Sequence, residues 1–201
     1  IPMEKTFIVT RGYDEKQYSE IKKSARPNLI NKDKVNFVYA GEIFSKLRDV
    51  NPFIGALNHI KEKNIKLYNK SNVMFFGNID DEYIKNQLMK AENVNVSPRI
   101  PYNEALGYML NSEVLLLFGN KNSKQIPAKI YDYFGAEGII FVILGDENDP
   151  IRDVVENKKK CIVVNNNTHE IVNGINKIVS MIENNEKYGP IEEYKWQYIS
   201  E

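Results

Sequence analysis

From Val35 onward the chain alternates between short, mostly apolar runs and longer segments whose apolar residues recur every three or four positions. The runs Val35–Ala40, Val73–Gly77, Val94–Val96, Val114–Phe118, Ile139–Leu144 and Cys161–Val164 read as six strands. VLLLF and IIFVIL have no polar break, the pattern of parallel strands covered on both faces. The segments between the runs carry helix signals. Asn51-Pro52 opens a stretch with Phe53, Ile54, Leu57 and Ile60 on one side. Asp80 opens another, with Tyr83, Ile84, Leu88 and Ala91 on one side, and residues 103–111 form a third. Pro127 suits the first position of the next helix, with Ile130 and Phe134 as its apolar stripe and Gly138 as its stop. Asp149-Pro150 starts a further one, and Asn167 with Glu170 forms a capping pair for a helix over Thr168–Glu183. The tail GPIEEYKWQYISE reads as one more helix. Ahead of Val35, Phe7–Thr10 is β-prone, and residues 13–34, with Arg26-Pro27, read as a connecting segment.

Strands alternating with helices argue for a three-layer α/β domain, a six-stranded parallel sheet joined by right-handed crossovers. It is expected over residues 35–185, with 1–34 as a linker segment and 186–201 as a C-terminal helix. No internal repeat is visible. Ligands of such sheets sit beyond the C-terminal strand ends, where the strand order reverses. The loops that matter are therefore 41–51, 97–102 and 119–129.

Composition narrows the classes of function. With 27 basic and 27 acidic residues the formal net charge is zero, so nothing calls for nucleic acid or an acidic membrane. Cys161, the single cysteine, lies in an apolar run, which excludes a disulfide framework and fits a reducing compartment. No stretch is long and apolar enough to span a bilayer. The chain opens at Ile1 on a strand-like segment, as expected of a piece cut from a longer protein.

The three loops carry candidate chemistry. Gly41, directly after a strand, lets backbone approach a ligand closely. Lys46 and Arg48 follow as cations for a diphosphate, ahead of the favourable dipole of the helix at Pro52. In the second loop two stiffening prolines bring Arg99, Ile100 and Tyr102 together, and an apolar or aromatic face is what a planar base needs. In the third, Lys129 and Asp132 share a face near an exposed helix start. They offer an amine for phosphate oxygens and a carboxylate for both hydroxyls of a vicinal diol. Taken alone, each loop also reads as an ordinary surface turn: two solvated cations, a tyrosine capping the core, an exposed Lys–Asp pair. Other chemistries find no support. The motifs G-x-G-x-x-G after a strand, G-x-x-x-x-G-K-[ST] and G-x-S-x-G are all missing. His59 and His169 lie on separate helices with no nearby cysteine, against a zinc site. Cys161 reads as packing, and Asp146–Asp149 as a solvated loop.

In order, TRGYD, VYAG with its following cations, FFG, IPYNEALGYM, VLLLF and IPAKIYDYFGAEGII span nearly the whole chain. Together they resemble the C-terminal, donor-binding domain of retaining GT-B glycosyltransferases, the group 1 type of bacterial polysaccharide synthesis. That family often carries P-x-K-x-x-E-Y ahead of a glycine turn and an apolar strand. Here stand Pro127, Lys129, Asp132 and Tyr133. TRGYD is similar to the linker turn between the two domains, and YKWQYIS to the helix that crosses back to the N-terminal domain. The resemblance implies a Rossmann-like half-enzyme that binds a nucleotide-diphosphate sugar. The sugar would pass, with retention and without metal or cofactor, to a saccharide or lipid-linked acceptor. A missing N-terminal domain would hold that acceptor, and the half alone would not turn over. Gly41, Lys46 and Arg48 would lie near the diphosphate with Lys129, the Arg99–Tyr102 loop near the base, and Asp132 on the ribose. No catalytic residue is assigned. A cytoplasmic enzyme is implied, peripheral on the inner face of the membrane where the acceptor is a lipid. The sequence departs from the family at Glu42, where arginine is usual, at Lys124, where a glutamate contacts the sugar, and at Ile139, where proline is usual. Two readings stand beside this one: a sugar-nucleotide epimerase or hydrolase of the same architecture, and a flavodoxin-like or receiver-like module.

Overall fold

The computed structural model describes residues 11–199. The run Phe7–Thr10 and the last two residues of the predicted tail helix lie outside them. Six strands form one parallel sheet: β1 (Val35–Ala40), β2 (Ser71–Phe76), β3 (Val94–Ser97), β4 (Val114–Phe118), β5 (Ile139–Ile143) and β6 (Cys161–Val164). Their order is β3-β2-β1-β4-β5-β6. The chain steps outward from β1 to β3, returns to the other side of β1 as β4, and steps outward again. The order thus reverses between β1 and β4, which pair directly through Phe37–Val114 and Val38–Leu115.

Helices make the crossovers: α2 (Asn51–Lys63) and α3 (Ile65–Lys70) after β1, α4 (Glu82–Met89), α5 (Tyr102–Leu110), α6 (Lys129–Phe134) and α7 (Ile151–Val155), with α8 (Thr168–Glu183) after β6. The period-2 alternation of strand side chains divides them between two cores. Phe37, Tyr39, Leu116, Phe118, Phe141 and Ile143 pack with α2, α4 and α8. Val38, Leu115, Leu117, Ile140 and Val142 pack with α5, α6 and α7 on the other face. Every side chain of β4 and β5 is buried, as their unbroken apolar runs require. Each contributes about 2 kcal/mol by leaving water.

Several local expectations change. The stretch read as a connecting segment contains α1 (Glu15–Lys22), whose first turn is capped by Asp14 accepting from Lys16 N at 2.9 Å. It buries Tyr18 against the second core. Two turns are too short for periodicity to register, and the same holds for α3. Asp81, not Asp80, caps α4, accepting from Ile84 N at 3.0 Å. Tyr83 is 67% exposed rather than on the buried side with Ile84 and Leu88. The helix expected from Pro127 to Gly138 is α6 alone, beginning at Lys129 and ending against Gly135. A side chain at Gly135 would strike the Tyr13 ring, so the helix stops where α1's segment crosses it. Asp149 is buried rather than solvated, and accepts from Gly145 N at 2.8 Å and Ile151 N at 3.0 Å. The tail forms a 3-10 turn, Glu192–Tyr194, and a short α9 (Trp196–Ile199) in place of one long helix. Tyr194 stacks on Phe134 with ring centroids 4.4 Å apart, and Trp196 N bonds the Tyr13 carbonyl at 3.1 Å. Asn167 does cap α8, accepting from Glu170 N at 2.9 Å.

Candidate functional site

Two glycines shape the reversal point. Gly41 ends β1 at φ +147° and Gly77 ends β2 at φ +140°, conformations that side chains rarely adopt. A side chain at Gly77 would also collide with the Gly41 carbonyl, so Gly77 must lack one for the two strand exits to lie together, and one at Gly41 would strike the Lys129 amine. Gly41 N donates to Phe76 O at 2.7 Å and Ile43 N to Asn78 O at 2.9 Å, which zips the exits side by side. Asp80 belongs to this arrangement, accepting from Ser45 N at 2.8 Å.

Beside Gly41 lies a cleft of about 400 Å³. One wall is apolar: Phe76, Ala105 and Met109. Arg99, Ile100, Pro101 and Tyr102 form the loop side, and Ala40, Gly41, Glu42, Lys129 and Asp132 complete it. Six of the eight residues proposed from sequence therefore meet: Gly41, Arg99, Ile100, Tyr102, Lys129 and Asp132. Arg48 does not line the cleft. Its Nη1 donates to the Glu42 carbonyl at 2.7 Å, and its Nε is buried without a hydrogen-bond partner among the described residues. Lys46 is exposed on the outer part of its loop, away from the lining, and the start of α2 does not reach it. The loop turns back toward Asp80, and this carries Lys46 outward.

The Lys–Asp pair is not the exposed pair that helix spacing suggests. The Lys129 amine is buried, lies 3.6 Å over the Tyr39 ring, and has no hydrogen-bond partner among the described residues. Burial, chiefly, holds its pKa well below the ordinary lysine value; Arg48 pushes the same way, and Asp132 and Glu42 oppose. Asp132 accepts from the Tyr102 hydroxyl at 3.3 Å. Burial raises its pKa, against the Tyr102 hydrogen bond and the charges of Arg11 and Lys129. The Tyr102 phenol is pushed up to about 12, first by burial and then by the Asp132 charge. The Asp132 carbonyl accepts from Tyr18 of α1 at 2.8 Å.

Tyr18 and Arg11 were not singled out in the sequence, and Glu42 only as a departure from the arginine usual in the family the chain resembles. Tyr18 had a signal, the Asp14 cap followed by Tyr18 and Ile21 three apart. Arg11 had none. A wider groove of about 580 Å³ opens at the N-terminal strand ends, and several of its charged side chains are engaged within the fold. Lys22 pairs with Glu137 at 2.5 Å, and Glu113 accepts from Asn36 at 2.8 Å. The cleft beside Gly41 holds a buried amine with no hydrogen-bond partner among the described residues, next to a carboxylate and an apolar wall. Such a set can hold an anion, a diol and a flat ring at once.

No protein-family model matches the chain, and no curated protein matches it in sequence. Solved structures do match in shape. Sucrose-phosphate synthase from Thermosynechococcus elongatus superposes with a TM-score of 0.72 at 11% identity, over 97% of this chain and 50% of that one. A trehalose-6-phosphate protein from E. coli, solved with UDP-2-fluoro glucose bound, superposes with a TM-score of 0.62 at 11% identity, over 85% of this chain and 43% of that one. The catalytic domain of cholesterol-α-glucosyltransferase from Helicobacter pylori gives 0.57 at 13% identity, over 75% of this chain and 89% of that one. This chain thus spans half or less of the length of the first two. At these identities the likeness shows the fold: a Rossmann-like α/β unit with a six-stranded parallel sheet, of the kind that forms one half of a GT-B protein.

Proposed function

We propose that this chain is the donor-binding half of a glycosyltransferase that takes a sugar from a nucleotide diphosphate and transfers it with retention, without a metal. The observation that carries the reading is the Lys129 amine: buried, without a hydrogen-bond partner among the described residues, one helical turn from a half-buried carboxylate, at the point where the strand order reverses. A buried cation without a partner costs several kcal/mol unless an anion compensates it. A phosphate in the cleft supplies that partner.

The roles follow from the lining. The diphosphate sits against Gly41, where no side chain intervenes, and draws on Lys129 with Arg48 behind it. The ribose hydroxyls replace the Tyr102 hydroxyl on Asp132. The base lies on the Ile100–Tyr102 loop, with Arg99 at its edge. As the sugar leaves, negative charge grows on the diphosphate, and fixed positive charge there lowers the barrier. Lys46 has no part in this arrangement. The acceptor and the remaining catalytic groups belong to a second, N-terminal domain, reached through the linker before β1, and the tail beyond α8 leads back toward it. The setting proposed is cytoplasmic, peripheral on the membrane where the acceptor is a lipid. No helix among the described residues is long and apolar enough to cross a membrane.

Calorimetric titration with UDP, GDP and ADP tests the reading. One nucleotide is expected to bind, and Asp132→Ala to weaken it about tenfold, the value of one hydrogen bond to a charged group. Absence of binding for all three, or an unchanged affinity in the variant, would end it.

A further inference from the structure

We infer that Glu42 reads the transferred sugar, and that its carboxylate selects a neutral hexose over an acidic one. The inference rests on the donor-binding reading above and deepens it. Glu42 follows Gly41 at the exit of β1 and lines the cleft. Its backbone is pinned from two sides, its carbonyl accepting from the Tyr39 hydroxyl at 2.9 Å and from Arg48 at 2.7 Å. The next residue, Ile43, is buried and bonded to Asn78. The carboxylate, by contrast, has no hydrogen bond or ion pair with another described residue. A fixed backbone thus presents an uncommitted carboxylate to the cavity.

Two carboxylates act on the Lys129 amine, Asp132 and Glu42. They are not equivalent. Asp132 is tied to Tyr102 at 3.3 Å, on the loop read as the seat of the base. Glu42 has no tie to that loop and is contiguous with Gly41, where the phosphates approach. A carboxylate only accepts hydrogen bonds. It repels a second anion across a few ångströms of partly dry cleft. With phosphate at Lys129 and ribose at Asp132, whatever lies against Glu42 must donate. The hydroxyls of a neutral sugar do so, two at a time if they are vicinal. The carboxylate of a uronic acid meets like charge instead.

The test uses the nucleotide that binds best among UDP, GDP and ADP, free and conjugated to a neutral hexose and to the matching uronic acid. Wild type is expected to prefer the neutral conjugate by about tenfold, the size of one like-charge contact in a partly solvated site. Glu42→Gln keeps the size of the side chain and removes its charge. It is expected to bring the two conjugates within about twofold of each other, and to bind the free nucleotide at least as tightly as wild type. Because the carboxylate makes no hydrogen bond or ion pair among the described residues, the variant is expected to unfold near the wild-type midpoint. Equal affinity of wild type for the two conjugates, or the same preference in Glu42→Gln, overturns the inference while the donor-binding reading stands. Failure of every free nucleotide to bind wild type overturns both.

Discussion

The two ends of β1 treat buried polar groups in opposite ways. At its start Asn36 is 1% exposed and fully occupied. Its Nδ2 donates to the Asn31 carbonyl at 2.8 Å, the Lys34 carbonyl at 3.1 Å and Glu113 at 2.9 Å. Its Oδ1 accepts from Asn31 N at 2.9 Å and from Asn72 at 2.8 Å. The network closes on itself and joins the loop before β1 to the entries of β2 and β4. At the other end, past Tyr39 and Gly41, the Lys129 amine and Arg48 Nε are buried with no hydrogen-bond partner among the described residues. One strand therefore begins in a closed polar network and ends beside buried cationic groups that no hydrogen bond of the described fold engages. Full pairing marks a group that holds the fold. A missing partner at a strand's C-terminal end marks a group held ready for something else.

The largest effect is expected at the paired end. Asn36→Ala removes the acceptor of Asn31 N and of the buried Asn72 amide, and a donor to the half-buried Glu113 carboxylate. It should cost about 3 kcal/mol in urea unfolding, with nucleotide affinity unchanged under conditions where the chain is folded. A loss below about 1 kcal/mol would break the comparison. Lys129→Met is the mirror experiment. It removes a buried amine that has no hydrogen-bond partner among the described residues, so stability should equal or exceed that of wild type. Nucleotide-diphosphate affinity should fall about 10- to 100-fold, the value of a charge-assisted bond to phosphate. A large stability loss with intact binding would make Lys129 structural.

The smallest effect is a proton. Burial holds the Lys129 pKa down in the empty cleft, and a bound phosphate draws it up again. Between those two values binding takes up a proton, so affinity falls as pH rises, by at most about tenfold per pH unit. For folding the sign is also set: the unfolded chain, with an ordinary lysine, binds more protons than the native one. Lys129 alone therefore makes stability rise with pH up to the ordinary lysine range. Calorimetry in buffers of different ionisation heat should show proton uptake at pH values below the ordinary lysine range in wild type and none in Lys129→Met. Equal heats in all buffers would show that the amine stays charged when empty.

Much of the fold was legible because its signals are local. VLLLF and IIFVIL announce doubly covered strands by lacking a polar residue. Asn51-Pro52 and the Asn167–Glu170 cap place their helices to within a residue. The short helices α1 and α3 escaped because two turns of amphipathic pattern do not stand out from a polar loop. The limits of the helix after Pro127 escaped because Gly135, not Gly138, meets the crossing segment of α1. In the site, Gly41, Lys129 and Asp132 were legible as residue types suited to phosphate and ribose. Their environment was not. Helix spacing put Lys129 and Asp132 on an exposed face, and only the approach of Tyr39 covers Lys129, while Tyr102 and Tyr18 reach Asp132 from other elements.

By itself the sequence determined the alternation of strand and helix, the two-sided burial of the central strands, and hence a parallel sheet between two helical layers. Those features depend on side-chain period and on runs of a few residues, which neighbours along the chain decide. Only the tertiary structure decided that β4 returns beside β1, that Gly41, Tyr102 and Asp132 share one cleft, that Lys46 points away from it, and that Glu42 enters it. Each of these is a contact between segments distant in the chain. Such contacts are set by how whole strands pack, and no local pattern encodes them.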